Sequence, residues 1–223
     1  MNGATSRFLF PGSNGAVECL VDRPAQEAVL GLALVCHPHP LFGGTNENKV
    51  VTTLARAFTA LGWIALRPNF RGVGASAGTH DGGEGETADM RELLAAASTL
   101  DELAPLPAGA PLLLSGFSFG SLVAARLARE RSGEGRPPRG LVLVGAAAGK
   151  WPMPPVEPGT LLIHGEQDET IPLADVMDWA RDSGAPVVVI PGADHFFHRR
   201  LTLVKSLVVR HLAGAAAAGQ VTP

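Results

Sequence analysis

Leu112-Leu-Leu-Ser-Gly-Phe-Ser-Phe-Gly-Ser-Leu-Val-Ala124 carries the clearest structural signal in the chain. It begins as a short apolar run, passes through the five-residue pattern G-x-S-x-G, and continues as a helical run over Ser121–Arg131. A strand that turns directly into a helix places Ser118 on a tight corner. Gly116 and Gly120 flank it and let neighbouring backbone approach closely. The hydroxyl then stands above the sheet edge. The free amides and positive end of the helix lie behind it, where they would stabilise an oxyanion. Ser118 is therefore the candidate nucleophile; the plainer alternative is a small residue at a helix N-terminus.

The pattern alone does not decide the matter, because it occurs twice. Gly74-Ala-Ser-Ala-Gly78 repeats it after the strand-like Trp63–Asn69. This second copy leads into Thr79-His-Asp-Gly-Gly-Glu-Gly85, and glycines at that density are not expected to open a helix. Context favours Ser118 over Ser76.

Working outward, apolar runs recur at Val17–Val21, Leu30–Cys36, Trp63–Leu66, Leu141–Val144, Thr160–His164 and Val187–Ile190, with Arg7–Phe10 as an edge candidate. Most of the later runs are apolar throughout rather than alternating, as strands covered on both faces are. Helical spacing lies between them. Val51, Leu54, Phe58 and Leu61 share one face, as do Met90, Leu93, Leu94, Ala97 and Leu100. Leu173–Ser183 and Arg199–Leu212 add two more helices, and the first of the five is expected to begin near Asn46. This alternation predicts an α/β fold: a mostly parallel, twisted sheet of about seven to eight strands, helices on both faces, and an antiparallel entry. The segment Gly145–Gly159, with four prolines and Trp151, is too short for an independent cap, so the site is expected to be open and edged by Trp151.

Composition narrows the function. The 223 residues suit one domain with a full core. Residues 1–213 read as that domain, and 214–223 as a disordered Ala/Gly tail. A net charge of −3 with scattered basic residues argues against a nucleic-acid surface. No apolar run approaches the ~20 residues of a membrane span, and the first residues lack a signal pattern, so a cytoplasmic address is expected. Cys19 and Cys36 read as buried thiols rather than a disulfide framework. The expected partner is a small-molecule acyl substrate; oligomeric state is not readable.

A serine hydroxyl needs a base within hydrogen-bond reach and an acid to orient that base. Leu161-Leu-Ile-His-Gly-Glu-Gln-Asp168 is a strand and a loop carrying Asp168; Val187-Val-Val-Ile-Pro-Gly-Ala-Asp-His195 is the next strand and a loop carrying His195. The order Ser118, Asp168, His195 suits this architecture. Glu166 and Glu169 stay open as substitutes for Asp168, and His198 for His195. Asp194 suits loop or helix capping. Asp175 and Asp178 read as solvated helix charges, and His164 as a residue that packs or bonds backbone. The oxyanion donors are expected to be the amide of Phe119 and one from His37-Pro-His-Pro-Leu-Phe-Gly-Gly-Thr45. Pro38 and Pro40 have no N–H, which leaves His39 or Leu41, with His39 favoured. Leu41, Phe42 and Trp151 are candidates for the substrate pocket. His37 and His39 could be read as a metal pair, but no third ligand is near and the prolines count against it, so neither metal nor cofactor is expected. His80 and Asp81 read as solvated, and Arg71 with Asp89 as a structural ion pair.

Cys36–Thr45, Asn69–Ser76, Gly116–Gly120, His164–Asp168 and Gly192–His195 together resemble the α/β-hydrolase superfamily. More narrowly they resemble the small capless bacterial hydrolases with a C-H-P-H-P-x-x-G-G-T loop, relatives of dienelactone hydrolases and prolyl-oligopeptidase-like catalytic domains. The resemblance implies a Ser118–His195–Asp168 triad working through an acyl-enzyme on a carboxylic ester. Thioesters, lactones and short peptides remain open. Dienelactone hydrolases use cysteine where this chain has Ser118, so their lactone substrate does not carry over. A binding protein that kept the fold without turnover is the reading from another class.

Overall fold

The structure is a computed structural model that describes residues 5–26 and 28–217. Eight strands form one sheet: β1 (Thr5–Gly12), β2 (Gly15–Asp22), β3 (Gly31–Cys36), β4 (Trp63–Pro68), β5 (Leu112–Phe117), β6 (Gly140–Val144), β7 (Leu161–Gly165) and β8 (Val187–Ile190). Their spatial order is β1-β2-β4-β3-β5-β6-β7-β8. The β1–β2 and β2–β4 pairs are antiparallel and the rest parallel, so the expected antiparallel entry is present.

The uninterrupted apolarity of the central strands has a direct physical reason. Successive strand side chains point to opposite faces, and both faces are covered. Leu32, Leu34, Leu112, Leu114, Leu141 and Leu143 join one core with Met90, Leu93, Leu122 and Val123. Ala33, Val35, Leu113, Val142 and Val144 join the other with Val51, Leu54, Phe58, Val204 and Val208. Helices α1 (Lys49–Ala60) and α5 (Leu201–Ala217) therefore cover one face, and α2 (Glu84–Ala96) and α3 (Phe119–Gly133) the other. On this second face, α4 (Leu173–Ser183) adds Ala180 to the same core as α2 and α3.

Among the element boundaries that differ from expectation, three have a readable cause or consequence. Helix α1 begins at Lys49 rather than near Asn46, because the Asn48 side chain accepts from the Val50 amide (2.8 Å) and caps the helix there. Helix α2 opens inside the glycine-rich run that is expected to stay irregular. Glu86 reaches back to the Gly83 amide (2.8 Å), and Asp81 accepts from Gly85 (2.9 Å), which offsets the glycines' entropy. Helix α5 continues through Ala217, so 214–217 of the expected tail are helical, while 218–223 lie outside the described residues.

Parallel register aligns the carboxyl ends of the central strands. Cys36 pairs with Gly116, Phe117 with Val144, and Gly165 with Ile190. The loops after β3, β5, β6, β7 and β8 thus open along one edge of the sheet, where ligands of such sheets bind. No helix lies between β6 and β7, so no cap covers this edge. No helix of the described residues is long and apolar enough to cross a membrane.

Candidate active site

Ser118 sits at the turn from β5 into α3 with φ 53° and ψ −123°, a conformation a side-chain-bearing residue adopts at a cost of about 1–3 kcal/mol. Its surroundings enforce it. The Ser118 amide donates to Val144 O (3.0 Å), and its carbonyl accepts from the Ser121 amide (2.8 Å) and the Ser121 hydroxyl (2.5 Å). The flanking glycines are sterically required. A Cβ on Gly116 would lie 2.1 Å from Gly120 O, and one on Gly120 would lie 2.3 Å from Cys36 O. Together they let α3 start immediately above the ends of β3 and β5.

The loops after β7 and β8 bring in the other two groups. Ser118 Oγ lies 3.0 Å from His195 Nε2, and His195 Nδ1 lies 2.6 Å from Asp168 Oδ2. Because the carboxylate only accepts, a neutral imidazole here carries its hydrogen on Nδ1 and presents its lone pair to the hydroxyl. Asp168 Oδ1 accepts the amides of Thr170 (2.9 Å) and Ile171 (2.7 Å). Burial alone would raise this carboxyl. The hydrogen bonds from His195 and Ile171, together with the adjacent imidazoles, hold it below the usual carboxylate range instead. All three side chains are buried.

The other acids and imidazoles are engaged elsewhere. Glu166 Oε2 accepts the Gly192 amide (2.8 Å) and braces the loop that carries His195. Asp194 accepts the His198 amide (3.1 Å) and pairs with its ring (2.5 Å), and that ring is 70% exposed, outside the cluster. Glu169 is exposed with no partner among the described residues. His164 Nε2 donates to Ile171 O (2.9 Å), which steadies the Asp168 loop. Ser76 is buried; its Oγ accepts the Glu18 amide and donates to Asn69 O, both at 2.9 Å. Arg71 pairs with Asp89 at 2.6 and 2.9 Å.

Two backbone amides near Ser118 are left without an acceptor. Those of Phe119 and His39 meet no acceptor among the described residues, whereas the Leu41 amide donates to His39 Nδ1 (3.2 Å). Of the two candidate donors in this loop, the Leu41 amide is thus already engaged and the His39 amide is not. The metal-pair reading of His37 and His39 fails on geometry. Both ring nitrogens of His37 are taken, Nδ1 by Pro38 O (2.6 Å) and Nε2 by the Phe70 amide (2.8 Å).

An aromatic wall lines this side. The His39 ring lies 4.5 Å from His80, 4.8 Å from Phe42, 5.1 Å from Phe119 and 5.7 Å from Trp151. Burial of His39, and then the nearby His80, lower its basicity. His80, expected to be solvated, has its side chain buried instead, while Asp81 stays exposed and is engaged by Arg71. The His80 side chain is 8% exposed, its Nδ1 2.6 Å from the fully buried Glu86, and Asp81 pairs with Arg71 (3.2 Å). Glu86 comes from the acidic start of α2, just beyond them in the chain, and Arg71 from the loop after β4. Leu41 and Phe42 are 73% and 86% exposed. Phe196, 47% exposed, sets its ring edge-on 5.2 Å from His195.

Sequence reading passes over Ser121, Glu86, Phe196 and the anchoring part of His37. A serine inside an otherwise apolar helix is the available signal for Ser121, and Phe196 adjoins His195. Nothing local distinguishes Glu86 from an ordinary first-turn acid.

A family model described as Serine aminopeptidase, S33 matches residues 41–172. The lidless α/β serine hydrolase XC6422 of Xanthomonas campestris is 33% identical and superposes with a TM-score of 0.81, over 96% of this chain and 95% of that one. An α/β serine hydrolase homologue from Coxiella burnetii is 35% identical, with a TM-score of 0.79 over 93% and 97% of the two chains. An uncharacterized protein of Rickettsia prowazekii, RP471, is 35% identical over 204 residues, covering 86% of this chain and 82% of that one.

Proposed function

The chain belongs to the α/β-hydrolase superfamily, within the family described as Serine aminopeptidase, S33, and we propose that it hydrolyses carboxylic esters of small molecules through an acyl-enzyme on Ser118. The observation that carries this reading is the continuous chain of hydrogen bonds from Ser118 Oγ through His195 to Asp168, at 3.0 and 2.6 Å.

In the proposed cycle, His195 Nε2 takes the hydroxyl proton as Ser118 Oγ attacks the ester carbonyl. Asp168 stabilises the imidazolium that results without taking the proton itself. The negative charge that develops on the carbonyl oxygen is met by the Phe119 and His39 amides; each such donor is worth roughly 100–1000-fold in rate. His195 then returns its proton to the departing alkoxide, which leaves as the alcohol. Water enters, gives a proton to His195, and its oxygen attacks the acyl-enzyme. The acid is released and Ser118 regains its proton.

An ester is favoured over a charged peptide because the rim is apolar. Leu41, Phe42, Trp151 and Phe196 edge an uncapped opening, which suits neutral substrates that extend past the reacting carbonyl. The buried, unlinked thiols of Cys19 and Cys36 agree with a cytoplasmic address.

The test is labelling with a fluorophosphonate, mapped by mass spectrometry, followed by a panel of ester, thioester, lactone and aminoacyl substrates. Modification at Ser118 is expected, abolished in His195→Ala. Turnover of the best ester is expected to fall roughly a million-fold in Ser118→Ala and roughly ten-thousand-fold in Asp168→Asn. Wild-type protein no faster than Ser118→Ala on every substrate would leave a binding protein as the better description.

A further inference from the structure

His37 has no part in the cycle above, yet it is fully buried and both its ring nitrogens are occupied. Nδ1 is 2.6 Å from Pro38 O and Nε2 is 2.8 Å from the Phe70 amide. An amide N–H only donates and a carbonyl only accepts, so the ring is neutral and carries its hydrogen on Nδ1. Phe70 packs against the same ring with centroids 4.3 Å apart.

The identity of the acceptor is what matters. Pro38 O belongs to the peptide whose other end is the His39 N–H. That peptide is trans, so its C=O and N–H point in opposite directions within one plane. Fixing the carbonyl fixes the amide. Two further observations show the same plane held from other sides. A Cβ on Gly44 would lie 2.1 Å from Pro38 O, so the carbonyl occupies space that only glycine leaves open. Pro38 and Pro40 flank His39 and restrict the backbone on either side of it.

We infer that His37 is a positioning residue: it ties the Pro38–His39 peptide to the loop after β4 and thereby aims the His39 amide at the developing oxyanion. The inference rests on the ester-hydrolase reading, since it presumes an oxyanion to be met. Histidine suits the position because one neutral ring both accepts from Phe70 and donates to Pro38. A side chain that only fills the space, such as leucine, would leave the peptide plane unanchored and the Phe70 amide unsatisfied.

Two conservative variants separate the bonds. In His37→Asn the side-chain amide stands where Nδ1 was and can donate to Pro38 O, while the bond to Phe70 is lost. In His37→Gln an oxygen reaches toward the Phe70 amide and the bond to Pro38 is lost. The readouts are the second-order rate of fluorophosphonate labelling and the kcat and KM for one aryl ester, with melting temperatures measured alongside. The expected result is a loss of roughly 10–100-fold in labelling rate and kcat for His37→Gln, with KM little changed, and a smaller loss for His37→Asn, which keeps the Pro38 bond but gives up the tie to Phe70.

Equal rates in both variants, or losses that track melting temperature rather than the Pro38 bond, would reduce His37 to a structural brace and overturn the inference. Wild-type protein that labels no faster than Ser118→Ala would overturn the hydrolase reading, and this inference with it. Should neither variant fold, 15N NMR of the wild-type imidazole decides. A ring with its hydrogen on Nδ1 between pH 5 and 8 is expected, and a protonated or Nε2–H ring is incompatible with the proposed role.

Discussion

Replacing Gly120 by alanine adds one methyl group to the second residue of α3, and its consequence can be worked from the structure. The new Cβ would lie 2.3 Å from Cys36 O and 2.5 Å from His37 O, where ordinary contact begins near 3.4 Å, so the helix must retreat from β3 by about 1.1 Å. Both obstacles are backbone carbonyls, held by the β3–β5 ladder and the His37 loop, and neither can swing aside as a side chain would. Overpacking of this kind costs about 1–3 kcal/mol, which lowers a urea midpoint by roughly 1 M. The retreat also moves the Phe119 amide and Ser118 relative to His195. A misplacement of about 1 Å at a reacting group costs on the order of 100-fold in rate. Gly133→Ala, at the other end of the same helix, is the control. Nothing lies within 4 Å of its Cβ, so the change is expected to be neutral or to stabilise by up to about 1 kcal/mol. The assay pairs urea denaturation with fluorophosphonate labelling rates. A Gly120→Ala protein with the wild-type midpoint and rate would show that α3 is not pressed against β3, and the steric account of the glycine pair would be wrong.

Burial pushes the His37 imidazole down to about 3, whereas in the unfolded chain it titrates near 6.5. Its contribution to stability is full above that unfolded value and is lost as pH falls, because the unfolded state takes up a proton that the folded state refuses. Between pH 6.5 and 5 this amounts to about 2 kcal/mol. Denaturation curves at the two pH values should show the loss in wild type and a flatter response in His37→Asn; equal responses would contradict it. Phe42→Ala should leave stability within about 0.5 kcal/mol of wild type, since the ring is 86% exposed, but raise KM for esters bearing a bulky apolar group by up to about tenfold. An unchanged KM across such a series would remove Phe42 from the rim. Burial raises both cysteine thiols, so native protein at pH 8 should resist a thiol reagent that modifies the urea-unfolded chain promptly, and fast native labelling of Cys36 would refute its burial.

Much of this was legible in the sequence because it rests on local rules. Strand periodicity, the glycine-flanked serine and the placement of Asp168 and His195 after apolar runs each depend on neighbours in the chain. The misreadings arose where a side chain folds back on its own loop or meets a partner that sequence spacing does not reveal. His80 looks solvated in a glycine-rich loop, but Glu86 buries with it and the rings of His39 and Phe119 close over it. Helix α2 starts among glycines because side chains of Asp81 and Glu86 satisfy its first amides. The anchoring part of His37 shows only once the loop after β4 supplies Phe70.

By itself, then, the sequence determined the order of elements, the two-sided core and the identity of the candidate serine, acid and imidazole, since periodicity and turn chemistry are written in adjacent residues. Tertiary structure alone decided which acids are already engaged, and that Phe196 packs beside His195 while Phe42 packs beside His39. Those outcomes depend on hydrogen bonds and ring contacts that exist only once parallel register has brought the strand ends to one edge.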